Sequence, residues 1–243
     1  MSEQSGLIVI TGASRGIGLA LVECFLKEGH TVLGIARDTA SMPTHDKLTT
    51  LDTDLTDPQA ITHIARRVEK IGLPVAVLIN NAGIQNAVDF TATGIDSEAI
   101  ATQIRDEIML NLTTPMLLAA ALLAFMLRPG GTIVNVTSLV SRQPKPSAPV
   151  YSATKAGLAS FTQSLRVQLR SEGIDVVEAV PPLMDTAMTA GRGSGKITPE
   201  TMATAIFDSI RDQRNTAAPG LSRRVLMLNR VLPELVRTIL ARN

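Results

Sequence analysis

Tyr151-Ser-Ala-Thr-Lys155 sets a phenol and an ammonium four residues apart, and on a helix that separation places both on one face. A tyrosine with its ordinary pKa near ~10 is a poor base at neutral pH, but a cation within a few ångströms and the positive charge of a nearby nicotinamide favour the phenolate. Such a pair trades a proton with the oxygen of a carbonyl or an alcohol. Ser138 closes the run Thr132-Ile-Val-Asn-Val-Thr-Ser138, a strand by its β-branched content, and its hydroxyl is placed to hydrogen-bond the same oxygen. Taken singly, the first two could be a chance helix pair and the serine a plain strand end. Their occurrence together, in this order, is what points to acid/base chemistry.

A second constellation lies at the start of the chain. Gly6-Leu-Ile-Val-Ile-Thr-Gly-Ala-Ser-Arg-Gly-Ile-Gly18 reads as a strand, a glycine-rich turn and a helix start, the setting of a dinucleotide fingerprint. Gly12 permits the tight turn, while Gly16 and Gly18 let the backbone and the helix N-terminus approach a pyrophosphate. Ser14, Arg15 and Ile17 lie within that turn and are counted with the site. An acid at the end of the second strand would accept from a free ribose hydroxyl, whereas basic residues there would neutralise a 2′-phosphate. The chain has Ala36 followed by Arg37, and Arg15 reaches the same spot. Two guanidiniums suit a dianionic phosphate, so the expected cofactor is NADP(H). The alternative is NAD(H), with Arg15 and Arg37 in solvent and Asp38 accepting from the ribose.

Short apolar runs and longer helical patterns must position these groups. Strands are expected at Leu7–Thr11, Thr31–Ala36, Thr49–Leu55, Val75–Asn80, Thr132–Ser138 and Asp175–Val180. Helices are expected at Ile17–Glu28, Pro58–Ile71 with Asp57 as N-cap, about Ser97–Leu127, and about Val150–Glu172. Strands alternating with helices imply βαβ units. Val75-Ala-Val-Leu-Ile79 lacks period-two alternation, as expected when helices cover both faces. The fold class is α/β: a Rossmann-like doubly wound parallel sheet of six or seven strands with helices on both faces, in a single domain over residues 1–243.

The 23 basic and 22 acidic side chains and 2% aromatic content leave no broad basic footprint or stacking platform for nucleic acid. Cys24 is the only cysteine, so no intrachain disulfide forms, and a cytoplasmic location is expected. His30, His45 and His63 have no metal-ligand spacing, and no Gly-x-Ser-x-Gly elbow surrounds a serine. The apolar run Leu112–Leu127 falls short of the ~20 residues a bilayer span needs and reads as a buried helix. Residues 190–200, with three glycines in Ala190–Lys196, read as a mobile lid over cofactor and substrate. The basic tail, 221–242, reads as a helical segment packing on the core or another subunit; contact with an anionic membrane surface is the sharper alternative.

The spacing Gly12-x-x-x-Gly16-x-Gly18, with Asn80-Asn-Ala-Gly83, Asp54-Leu55, Ser138 and Tyr151-x-x-x-Lys155, resembles the short-chain dehydrogenase/reductase family over about residues 5–190. Asn80–Gln85, Pro149–Lys155, Ser164–Leu169 and Pro181-Pro-Leu-Met-Asp-Thr186 look like its DltE-type oxidoreductases. The resemblance implies a catalytic tetrad of Asn111, Ser138, Tyr151 and Lys155. It also implies adenosine-side contacts from Asp54, Leu55, Asn81, Ala82 and Gly83, with Tyr151 and Lys155 reaching the cofactor too. Carboxamide contacts would come from Pro181, Met184 and Thr186. Pro182 departs from the wider family, which has glycine there, and removes a donor beside the nicotinamide. Pro115 cannot donate to the Asn111 carbonyl, leaving it free for an ordered water that would link it to Lys155. The expected substrate pocket is mainly apolar: Gln85, Leu139, Val140, Gln143, Pro144, Pro182 and Leu183. The implied activity is hydride transfer between a nicotinamide and a small, apolar-flanked ketone, aldehyde or secondary alcohol, in a homodimer or homotetramer. A non-catalytic NADP(H)-binding redox sensor and an NAD-linked alcohol dehydrogenase are the alternatives.

Overall fold

β1 (Leu7–Thr11) has no exposed residue, because helices lie against both faces of the sheet it centres. The computed structural model describes residues 6–91, 97–182 and 197–232. β2 (Thr31–Ala36), β3 (Leu48–Asp52), β4 (Val75–Asn80), β5 (Thr132–Val136), β6 (Asp175–Ala179) and β7 (Thr216–Ala217) complete a seven-stranded sheet. Its order is β3-β2-β1-β4-β5-β6-β7 and every pairing is parallel. The strand order reverses between β1 and β4, which opens a crevice at their carboxyl ends, where ligands bind in such sheets.

On one face α1 (Gly16–Lys27) and α6 (Pro199–Arg211) pack together around Phe25, Leu21, Met202 and Ile206. On the other, Ile64 of α2 (Ala60–Ile71) meets Leu118 and Leu122 of α4 (Thr114–Leu122) over Leu33 and Leu78. α3 (Ser97–Ile108) runs into α4 through a five-residue π-turn, Met109–Thr113. The helical run Ser97–Phe125 is long and apolar enough to cross a membrane, but Leu118 and Leu122 are fully buried against the sheet. α5 (Pro149–Leu169) is the longest single α-helix among the described residues. α7 (Leu221–Val231) packs near residues 139–141.

The six expected strands form, three of them one or two residues shorter. β3 ends at Asp52 rather than Leu55 because Asp54 begins a turn, its carboxylate accepting from the Thr56 backbone and hydroxyl. Asp57 accepts from Gln59 N–H at 2.7 Å, yet the helix proper opens at Ala60, after that turn. β7 has only two residues, too short for any alternation to announce it.

Candidate active site

The glycine turn is held by contacts that only glycine allows. Gly12 has φ +65°, and a Cβ on Gly18 would overlap the Gly12 carbonyl oxygen, so α1 starts against β1 with its first N–H groups open to the crevice. Asn81 locks this turn to the end of β4: its side-chain amide donates to the Thr11 carbonyl at 2.9 Å and to that of Gly12 at 3.2 Å. Thr11 Oγ1 accepts from Asn81 N–H and Ala82 N–H while donating to the Ile79 carbonyl. Thr11 is a positioning residue that motif reading passes over, since it looks like any β-branched strand residue.

Arg15 and Arg37 are both exposed, beside the turn and at the end of β2. Asp38 Oδ1 accepts from Ala40 N–H at 2.9 Å, within a local turn. Hydrogen bonds from Thr56 hold the Asp54 carboxyl below its ordinary range, with the Arg37 charge adding to them. Leu55 is buried, and its carbonyl accepts from Thr114 of α4.

At the catalytic end, α5 begins at Pro149, whose missing N–H is harmless at a helix start. Tyr151 is half-buried and Lys155 buried on the same face. The Tyr151 phenol is hydrogen-bonded to Ser138, at the end of β5. Lys155 Nζ lies 5.7 Å from the Tyr151 ring centroid and donates to the Val136 carbonyl at 2.9 Å. Burial pushes the phenol up to about 12, with the Ser138 hydrogen bond opposing and the Glu107 charge adding. Burial lowers the Lys155 ammonium to about 8, opposed by Glu107. The phenolate expectation counted a nicotinamide's positive charge beside Lys155; in the chain by itself burial outweighs the Ser138 hydrogen bond, and Tyr151 is protonated at neutral pH.

Asn111 is fully buried in the π-turn. Thr114 N–H reaches back five residues to the Met109 carbonyl, a widening next to Pro115, which has no N–H to give. The Asn111 amide grips the loop after β4, accepting from Ile84 N–H at 2.9 Å and donating to the Ile84 carbonyl at 2.8 Å and to Thr154 Oγ1 at 3.3 Å. Asn111, Lys155 and Gly83 converge, since a Cβ on Gly83 would lie 3.0 Å from Asn111 Oδ1 and 3.5 Å from Lys155 Nζ. The four residues expected to act together, Asn111, Ser138, Tyr151 and Lys155, thus gather at one end of the crevice. Glu107, fully buried one turn before Asn111, was missed from sequence, where it looks like one more charge on a helix surface.

The expected substrate residues divide. Val140 and Pro144 line a cavity of about 360 Å³ walled by Pro146, Pro149, Ala153 and Ala156. Gln85 is half-exposed after β4, beyond the Ile84 that Asn111 holds. Leu139 is buried. Gln143 is also buried, and it donates to Asn229 of α7 at 2.7 Å, tethering the C-terminal helix to this side of the molecule. Pro181 is half-buried and Pro182 buried just beyond β6. Leu183, Met184, Thr186 and the lid through Lys196 lie outside the described residues, as does the tail beyond Leu232.

Residues 6–196 match the short chain dehydrogenase family. The chain belongs to that family. It is 34% identical to the oxidoreductase DltE of Bacillus subtilis over 193 residues, 77% of this chain and 75% of that one. Among solved structures, the short-chain dehydrogenase of Sphingobium yanoikuyae in complex with NADPH superposes with a TM-score of 0.75 at 26% identity, covering 95% of this chain and 94% of that one. The bulky-bulky ketone specific alcohol dehydrogenase of Comamonas testosteroni gives 0.78 at 27% identity, with 95% and 93% covered. This short-chain dehydrogenase is accordingly an NAD(P)-dependent oxidoreductase.

Proposed function

We propose that this short-chain dehydrogenase uses NADP(H) and reduces a small, apolar-flanked ketone or aldehyde, or oxidises the matching secondary alcohol, with Tyr151 as the acid/base. The observation that carries the reading is the Tyr151 phenol, hydrogen-bonded to Ser138 and backed by the buried Lys155 ammonium at the crevice mouth.

The residues present fit a dinucleotide. The close Gly12–Gly18 approach, which a side chain at Gly18 would break by meeting the Gly12 carbonyl, keeps the start of α1 beside the turn, where a pyrophosphate is stabilised. Arg15 and Arg37 stand exposed where a 2′-phosphate calls for cations, which favours NADP(H) over NAD(H). The nicotinamide, when bound, supplies or takes up the hydride. The chain does the rest. Ser138 donates to the substrate oxygen and holds it beside Tyr151. Tyr151 gives its proton to that oxygen during reduction, a role suited to a phenol that is protonated at neutral pH. Lys155, charged below about 8, stabilises the phenolate left behind. In the other direction the same groups return the proton. The NADPH held by the Sphingobium protein and the ketone specificity of the Comamonas protein support the cofactor and the substrate class.

Initial rates with NADPH and NADH against a panel of ketones and aldehydes test this reading. NADPH-dependent reduction is expected, with the NADPH preference reduced about tenfold or more in Arg37→Ala, the size of one charge-assisted hydrogen bond. Equal use of NADH, unchanged in Arg37→Ala, would contradict the cofactor assignment. NADPH binding without turnover of any carbonyl would favour a redox sensor.

A further inference from the structure

Glu107 lies on α3 with no solvent exposure. Its Oε2 accepts from Asn86 N–H at 3.1 Å, while Oε1 has no hydrogen-bond partner among the described residues. A buried carboxylate with half its acceptor capacity unmet is costly to keep, and retaining one is reasonable where its charge is used.

What surrounds it gives the use. Glu107 and Asn111 are four residues apart on one helical face and hold alternate residues of the loop after β4: Asn86 through Glu107, Ile84 through Asn111. Asn111 and Lys155 in turn meet at Gly83, so the carboxylate sits one turn before the residue that meets Lys155, on a helix that packs against α5. Of the ionisable groups on α5, Tyr151 and Lys155 are the ones its charge acts on. The loop opposite presents Ile84, Gln85 and Asn86, none ionisable, with Asp89 exposed beyond them; on α3 itself Arg105 and Asp106 are exposed.

We propose that Glu107 is the buried counter-charge of Lys155, a positioning residue whose carboxylate keeps that ammonium protonated and so fixes the pH at which the Tyr151–Lys155 pair exchanges protons. Its consequence for catalysis rests on the oxidoreductase reading above; the electrostatic claim does not. Burial raises the Glu107 carboxyl, with the Asn86 N–H and the Lys155 charge opposing, as expected of mutual coupling between carboxylate and ammonium.

The test is a titration of the cofactor-free protein. With lysine labelled at Cε, the Lys155 resonance, assigned by its loss in Lys155→Met, reports the ammonium directly, and Glu107→Gln removes the charge while still accepting from Asn86. The midpoint should fall near 8 in the wild type and move to lower pH by about one unit or more in Glu107→Gln. An unchanged midpoint overturns the proposal. Should Glu107→Gln fail to fold, the labelled Glu107 carboxyl in the wild type decides: a step at the Lys155 midpoint supports the coupling, and its absence refutes it. Neither titration needs turnover, so a failed counter-charge is distinguishable from a failed oxidoreductase assignment. In kinetics, the pH profile of carbonyl reduction should shift in the same direction with KM for NADPH unchanged; a loss of rate without a shift would mark a merely structural role.

Discussion

Lys155 and Tyr151 titrate in opposite senses because burial resists charge on both: the ammonium falls to about 8 and the phenol rises to about 12. Between those values the phenol keeps its proton while the ammonium loses its charge. Carbonyl reduction should therefore decline as pH rises through about 8, through loss of the cation and ahead of any loss of the tyrosine proton; a kcat that stays flat to pH 10 would contradict this. The stability sign is also fixed. A lysine whose folded value lies below its ordinary 10.5 leaves the unfolded chain binding more protons between the two, so its contribution to stability rises with pH across that window. At this scale Tyr151, Lys155 and Ser138 were legible because a four-residue spacing and a strand end define geometry by themselves. Glu107 was not, since only the loop carrying Asn86 and the packing of α5 bury it. The hydrogen bond from Gln143 to Asn229, 86 residues away, was beyond the reach of local pattern.

Among the elements, the helix carrying Asn111 does the most for the site. An unbroken α-helix from Ser97 was expected; the structure inserts a π-turn at Met109–Thr113, and the widened turn holds the Asn111 amide against Ile84. Pro115 was visible in the sequence as a residue that frees a carbonyl, but a missing N–H does not say whether the helix kinks, breaks or widens. Pro115→Ala should let the helix regularise, loosening the Asn111 grip on Ile84. The expected result is a fall in kcat of about tenfold, the cost of roughly 1.4 kcal/mol in positioning, with thermal stability kept or raised. Unchanged kcat would show that the π-turn does not depend on the proline. The strands were readable from their continuous apolar runs, whereas β7 was not, as two residues carry no period.

For the whole molecule, seven parallel strands place the glycine turn, the loop after β4 and the end of β5 along one edge of the sheet, which is how residues as distant as Gly12, Asn81 and Ser138 come to one crevice. The alternation of strands and helices made that architecture legible; the docking of α7 against residues 139–141 was not, being set by tertiary contact alone. Outside the crevice, Ile108, Leu117 and Val167 are 40%, 45% and 68% exposed on α3, α4 and α5, large apolar side chains that suit helix packing between subunits. Sedimentation velocity should show a dimer or tetramer that dissociates in Val167→Asp; a monomeric wild type would contradict this. Tyr151 carries the proposed chemistry, and Tyr151→Phe assayed for NADPH binding and for carbonyl reduction together tests it. Binding should be preserved while turnover falls by about 10²- to 10⁴-fold, the range of a lost general acid. A variant that binds NADPH and still reduces carbonyls at the wild-type rate would contradict the assignment of Tyr151 as the proton donor.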